Sequence, residues 1–497
     1  MADFTELVDL AQERLGGAVV YANDEFFAPK ENLLRASKPV WKEGEYTDRG
    51  KWMDGWETRR RRVAGHDVCI VRLGVAGIVR GVVVDTAFFR GNFPPACSID
   101  ACAIEGHPDP DALVGPDVAW TEILPKSALL GDSLQSFAVD APWRATHLRF
   151  HIYPDGGVAR LRVHGEVLPS ARWMGRSGAE VDLASVDNGG AVVGASDMFF
   201  GSRHNLVMPG RSVNMGDGWE TKRSRREGFD WAVVRLAAEG VVSRVEIDTN
   251  HFKGNAPESA SIEVCDGDDF ERGAWVEIVP RTKLQPHTRH FFEIADEAKA
   301  THARLRIWPD GGVSRLRLYG AVTLAGRTRF GLRRLAALTT DEAERELLAC
   351  CGSLAWAKAV VAKRPFLSLE ALVSASDAAW EALGVDEKLE AFRAHPRIGE
   401  RHAAVEHGAT SRTWAEAEQS RVGEAEQATR DALATENRAY EAKFGHVFLI
   451  CATGKSADEM LAALRARMGH DRDAELRVAA DEQRKITRLR LEKLVTR

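Results

Sequence analysis

The sequence predicts a multidomain chain: two all-β sandwiches of jelly-roll type followed by an all-α domain. Three observations predict it. An ordered internal duplication runs through about the first two thirds of the 497 residues. Each copy is written in short β-branched or alternating runs broken by Gly, Pro and Asp. From Thr339 onward the composition turns to Ala, Glu, Leu and Arg. The length itself suggests about three domains at roughly 100–200 residues each.

The duplicated blocks keep their order. "GGAVVYANDEFF" from Gly16 returns as "GGAVVGASDMFF" from Gly189, and "MDGWETRRRR" from Met53 as "MGDGWETKRSRR" from Met215. "VVVDTAFFRGNFPPACSIDAC" from Val82 matches "RVEIDTNHFKGNAPESASIEVC" from Arg244. "ATHLRFHIYPDGGVARLRVHG" from Ala145 matches "ATHARLRIWPDGGVSRLRLYG" from Ala300. In that last block Asp155-Gly156-Gly157 separates two alternating arms, a hairpin signal. Units of this size with many short strands fit antiparallel jelly rolls, here residues 1–172 and 173–326.

A basic connector at 327–333 leads to residues 334–497. "TTDEAERELLACC" opens with Thr and Asp as candidate N-caps and acids in the first turn. The pattern from Thr413 reads as a long helix closed by Gly445.

Composition excludes several classes. A net charge of −6 gives no reason to expect nucleic acid or an acidic membrane. No run approaches the roughly 20 apolar residues of a membrane helix. "MADFTELVDLAQERLGG" carries acids where a signal peptide needs bases, so a cytoplasmic location is expected. Seven cysteines without a C-x-x-C pair read as reduced thiols rather than a zinc site or disulfide framework, with Cys350 and Cys351 expected within a helix.

The α segment carries "CCGSLAW" from Cys350, "KRPF" from Lys363, "FRAHPRIGE" from Phe392, "AEQ" from Ala417, "KFGHVFLICA" from Lys443 and "ITRLRL" from Ile486. In this order they resemble the 2-oxo-4-hydroxy-4-carboxy-5-ureidoimidazoline (OHCU) decarboxylases, helical enzymes of urate degradation that use no cofactor. The resemblance implies decarboxylation of OHCU to (S)-allantoin. It makes His395 the catalytic histidine, with Glu418 and Arg490 beside it. It places Pro396, Gln419 and the segment Phe448, Leu449, Ile450, Cys451 and Ala452 against the substrate. Ala415 stands where the family has a serine, removing one hydroxyl contact. The chemistry agrees: the ring can hold the electron pair left by decarboxylation, and histidine can supply a proton near neutral pH. Pro396 biases His395 away from helix-interior geometry, toward a helix end or loop.

The β repeats, with "DGWETRRRR", "DTAFFRGN" and "YPDGG", look like allantoicase, a tandem of galactose-binding-like jelly rolls that hydrolyses allantoate to ureidoglycolate and urea. Such a site needs cations for a carboxylate, acceptors for ureido N–H groups and an acid or base for the leaving urea. The first copy offers Asp54, Glu57, Arg59, Asp85 and Asn92; the second offers Asp217, Glu220, Asp248, His251 and Asn255. The copies differ where His66 faces Phe229, Phe88 faces His251 and Tyr153 faces Trp308. His251 beside Asp248 is an acid/base or metal-ligand candidate, and His147 and His302 recur at matched positions. No metal motif appears, so a divalent ion in the allantoicase half stays open.

Together these imply a bifunctional enzyme of purine catabolism acting on small ureides, depending on a separate allantoinase and expected to be a homo-oligomer. The alternative is an OHCU decarboxylase tethered to a non-catalytic jelly-roll ligand-binding module.

Overall fold

The computed structural model describes residues 3–170, 178–224, 227–295, 297–395, 414 and 427–496. The chain divides into two compact units, Met1–Arg327 and Thr328–Arg497.

The first unit holds two copies of one β-sandwich. Each is organised by a 19-residue strand, Asp67–Asp85 in the first copy and Asp230–Asp248 in the second. Residues 67–72 pair with Ala18–Ala22 and with Arg144–Tyr153; residues 81–85 pair with Arg160–Val167 and Leu134–Ala138. One long strand therefore serves both layers of the sandwich. The second copy repeats the pattern, with Asp230–Asp248 pairing Ala191–Ala195 and Lys299–Trp308, then Arg315–Val322 and Arg289–Glu293. The runs of β-branched residues explain the strand: "GVVVD" places Val82, Val83 and Val84 in the core.

Short ladders then bring the repeated motifs to one end of each sandwich. Trp56–Glu57 pairs with Gly157–Val158, and Trp219–Glu220 with Gly312–Val313. Trp56 and Trp219 are fully buried, each donating its indole N–H at 2.8 Å to a backbone carbonyl, of Asp24 and Asp197. Gly157 is required here: a Cβ would lie 2.0 Å from the Phe89 ring. Between the copies Arg14 pairs with Asp217, and Arg203 meets Glu6 at 2.8 Å.

The second unit is helical. Helix Leu324–Ala336 includes the residues 327–333 read as a connector. Helix Thr340–Leu348 begins with a capping box: Thr339 accepts from Glu342 N–H, and the Glu342 carboxylate accepts from Thr339 N–H at 2.9 Å. Cys350 and Cys351 follow this helix rather than lying inside it, because its chain turns after Ala349. Helix Gln427–Phe444 stops at Gly445, whose φ of 82° suits glycine. None of the seven cysteines forms a disulfide, and burial pushes the Cys351 thiol up to about 12, which leaves it protonated and unreactive. No helix among the described residues is long and apolar enough to cross a membrane.

Candidate functional site

The motif end of the first sandwich opens into a cleft of about 560 Å³. Phe27, Trp41 and Phe88 form aromatic walls, Lys51 and Arg90 bring positive charge, and Glu57 and Asn92 bring a carboxylic acid and an amide. Trp41 and Phe88 lie with ring centroids 5.7 Å apart, and the Lys51 ammonium sits 4.1 Å over the Trp41 ring. Glu57 is held by backbone bonds to Ala28 and by the ladder to Gly157. Its Oε1 accepts from Asn92 Nδ2 at 2.6 Å. Burial raises the Glu57 pKa, only partly offset by that amide hydrogen bond. The result is a carboxyl with a fixed orientation and a proton held above the usual carboxylate range.

The second copy keeps the pair, with Asn255 Nδ2 donating to Glu220 Oε1 at 2.5 Å. The surroundings differ. Asp54 follows Asn32 by 22 positions, whereas Asp217 follows Asn205 by 12. The equivalence of these anchors is structural, since Asn32 and Asn205 each donate at 3.0 Å to the glycine carbonyl of their "DGW". The extra residues in the first copy form the ribbon Tyr46–Thr47 with Gly50–Lys51 and carry Trp41 and Lys51. In the second copy Met215 Sδ stands 3.2 Å from Asn255 Nδ2 instead.

The other sequence candidates have other partners. Asp54 pairs with Arg160 at 2.8 Å and accepts from Val40 N–H at 2.9 Å; burial opposes its ionisation, but these bonds prevail and lower its pKa. Asp217 makes the matching pair with Arg315 at 3.0 Å. Arg59 pairs with Asp24 at the surface. Asp85 and Asp248 each accept at 2.8 Å from the backbone N–H two residues on, which shapes the turn after the long strand. The His251 imidazole meets Ser212 O at 3.0 Å rather than Asp248, and φ is 70° at both His251 and its counterpart Phe88. His147 is buried against Thr146, and desolvation lowers its pKa to about 4, so it is neutral. Among the described residues no group of three or more His, Cys, Asp or Glu is placed to hold a metal ion.

Sequence reasoning missed Trp41, Lys51 and Arg90. The length difference between the copies was the available signal, because inserted residues beside a shared motif must sit on or near it.

In the helical unit His395 lies just beyond helix Val385–Arg393, its N–H donating to Phe392 O at 3.1 Å, and it is buried. Arg490 is buried on the terminal helix Arg472–Thr496. Phe392, Leu449 and Leu491 share one apolar core, which brings the three elements together. The segment 448–452 is fastened from several sides. Cys451 N–H donates to Glu482 at 2.7 Å, Lys455 donates to Cys451 O at 2.9 Å, and Arg467 donates to Leu449 O at 2.6 Å. Arg467 is anchored in turn by the fully buried Glu475, which also accepts from Tyr440 OH. Pro396, Ala415, Glu418 and Gln419 lie outside the described residues.

Comparison with known proteins fits this division. The allantoicase repeat family matches residues 8–168 and 181–323, and the OHCU decarboxylase family matches residues 336–492. The chain is 49% identical over 332 residues to a probable allantoicase of Pseudomonas paraeruginosa, covering 64% of this chain and 97% of that one. It is 46% identical over 340 residues to a probable allantoicase of Streptomyces avermitilis, covering 66% and 89%. A crystal structure of allantoicase from Saccharomyces cerevisiae aligns with a TM-score of 0.53 at 39% identity, over 63% of this chain and 92% of that chain.

Proposed function

Because the chain belongs to the allantoicase family and ends in an OHCU decarboxylase domain, we propose how its two halves divide the chemistry of one bifunctional enzyme of purine catabolism. The β half is a hydrolase that converts allantoate and water to ureidoglycolate and urea. The α half is a carboxy-lyase that converts OHCU to allantoin and carbon dioxide, and its family is cofactor-independent.

For the hydrolase we assign the chemistry to the cleft of the first repeat. The observation that carries this is the buried Glu57 carboxyl, with raised pKa and an Asn92 partner, facing an open aromatic and cationic cleft. Allantoate has one carbon bearing a carboxylate and two ureido arms. Lys51 pairs with the carboxylate. Glu57 gives its proton to the departing ureido nitrogen, and the C–N bond breaks with its electron pair on that nitrogen. Water adds to the carbon and returns a proton to Glu57. Asn92 keeps the carboxyl aimed throughout. Urea release measured before and after exhaustive chelation tests whether a divalent ion takes part.

For the lyase, Arg490 pairs with the carboxylate that is lost. The electron pair of the broken C–C bond passes into the ring, and His395 supplies the proton that replaces the carboxylate. Glu418 and Gln419 hold the polar edge of the substrate.

Allantoin must be ring-opened before it becomes allantoate, so the two steps are not consecutive. Purified chain given OHCU should accumulate allantoin without urea until a separate allantoinase is added. Steady urea production from OHCU without that enzyme would contradict this arrangement.

A further inference from the structure

The loop that follows Glu57 closes back on the turn that holds it. Thr58 N–H donates to Gly156 O at 3.1 Å, Arg61 N–H to the Asp155 carboxylate at 2.9 Å, and Asp67 N–H to Pro154 O at 3.0 Å. That turn also supports the proposed acid and its partner: Gly157 pairs with Glu57 along the ladder, and its N–H donates to Asn92 O at 2.7 Å.

Where the loop ends, two half-buried histidines meet. His66 Nε2 lies 2.9 Å from His151 Nδ1, and His151 Nε2 lies 3.0 Å from Asp100 Oδ2. Both ring nitrogens of His151 are engaged, which fixes its orientation. A carboxylate only accepts, so His151 Nε2 carries a proton. Burial opposes the Asp100 charge, but the bonds from His151 and Arg149 prevail and hold it below the usual carboxylate range. In the neutral pair His66 Nε2–H donates to His151 Nδ1. One added proton reverses that bond without breaking it. A second puts N–H on both facing nitrogens, so no acceptor remains and two like charges meet.

The surroundings resist that second proton. Burial disfavours charge on His66, as do His151, Arg61 and Lys126, with Asp67 opposing them, and His66 is held below the usual histidine range. The Tyr153 ring lies 4.5 Å from the His66 ring, and the Lys126 ammonium sits 4.2 Å over Tyr153. The second copy has Phe229, Arg306 and Trp308 in place of His66, His151 and Tyr153. Phe229 packs on Trp308 with centroids 5.4 Å apart, and none of the three titrates near neutral pH.

We propose that His66 and His151 are positioning residues of the hydrolase, a clasp that steadies the turn behind Glu57 and Asn92 and opens in acid when both rings are charged. The inference rests on the hydrolase reading of the first repeat. Because His66 is held below its unfolded value, the clasp contributes fully above the unfolded histidine pKa and is lost as pH falls through the folded one.

The test is His66→Phe in the full chain, which installs the residue of the second copy. Urea release from allantoate and Tm are followed from about pH 8 to about pH 5, the range histidines span. Wild-type kcat should fall about tenfold per pH unit at the acid end, the limit for one required deprotonation. The variant should lose that limb, and the Tm difference, wild type minus variant, should shrink as pH falls. If the phenylalanine variant does not fold, His66→Gln, which keeps a donor for His151 but cannot be charged, should lose the limb in the same way. An acid limb unchanged in the folded variant would overturn the proposal and make the pair a structural bond alone. A wild type that releases no urea at any pH would instead remove the hydrolase reading, and the positioning role with it.

Discussion

Asn92 donates to Glu57 at 2.6 Å, and 163 positions on Asn255 donates to Glu220 at 2.5 Å. The same carboxyl–amide pair has been kept twice, but only in the first copy does a ribbon bring Trp41 and Lys51 beside it. That asymmetry predicts which copy works. Glu57→Gln should lower kcat for urea release by about 10²–10⁴-fold, the usual range for loss of a positioned general acid. Glu220→Gln should change it by a small factor. Initial rates of urea release from allantoate check both.

Acidity gives a second prediction. Burial raises the Glu57 pKa, so its proton is retained at low pH and lost as pH rises through that elevated value. Urea release should therefore fall on the alkaline side of this ionisation, and Glu57→Gln should flatten that limb. The stability contribution has the same sign. It is fully present below the unfolded glutamate pKa and lost as pH rises through the raised folded value. A pH–rate profile of the wild type and variant measures it.

Lys51 should act on binding. Removing a charge-assisted hydrogen bond of about 1.5–3 kcal/mol corresponds to roughly 10–150-fold in affinity. Lys51→Met should raise KM for allantoate within that range and leave the folded state intact, because Lys51 is exposed. Steady-state kinetics with an unfolding control separate the two effects.

Asp54 should behave oppositely to Glu57. Its carboxylate is buried against Arg160, and Asp54→Asn leaves that guanidinium without its ion pair. Breaking one side of a buried pair costs about 3–5 kcal/mol. Tm should drop markedly while kcat of the folded fraction changes little. The Asp54 pKa is depressed, so its contribution is present above the unfolded aspartate pKa and lost as pH falls through the folded one. Thermal unfolding across the acid range reads this directly.

Much of the architecture was legible because duplication and alternation are local signals. The runs around Val82 and Val245 could bury only as strands, and "DGWET" with "YPDGG" marked the turns that converge at one end. Side-chain roles were less legible because they depend on distant partners. Asp54 and Glu57 read alike as candidate carboxylates, and the fold pairs Asp54 with Arg160, 106 residues on. Glu57 could not be told from Asp54 without knowing that one meets a guanidinium and the other an amide.

Two chemistries on separate side chains of one chain should be separable by single substitutions. The most direct measurement is both activities, urea from allantoate and carbon dioxide from OHCU, in parallel preparations of wild type, Glu57→Gln and His395→Ala. The wild type should perform both. Glu57→Gln should lose urea release alone, and His395→Ala should lose decarboxylation alone. A wild type that decarboxylates OHCU but releases no urea would contradict it and make the β half a ligand-binding module, and loss of both activities in either variant would contradict the separation of the sites.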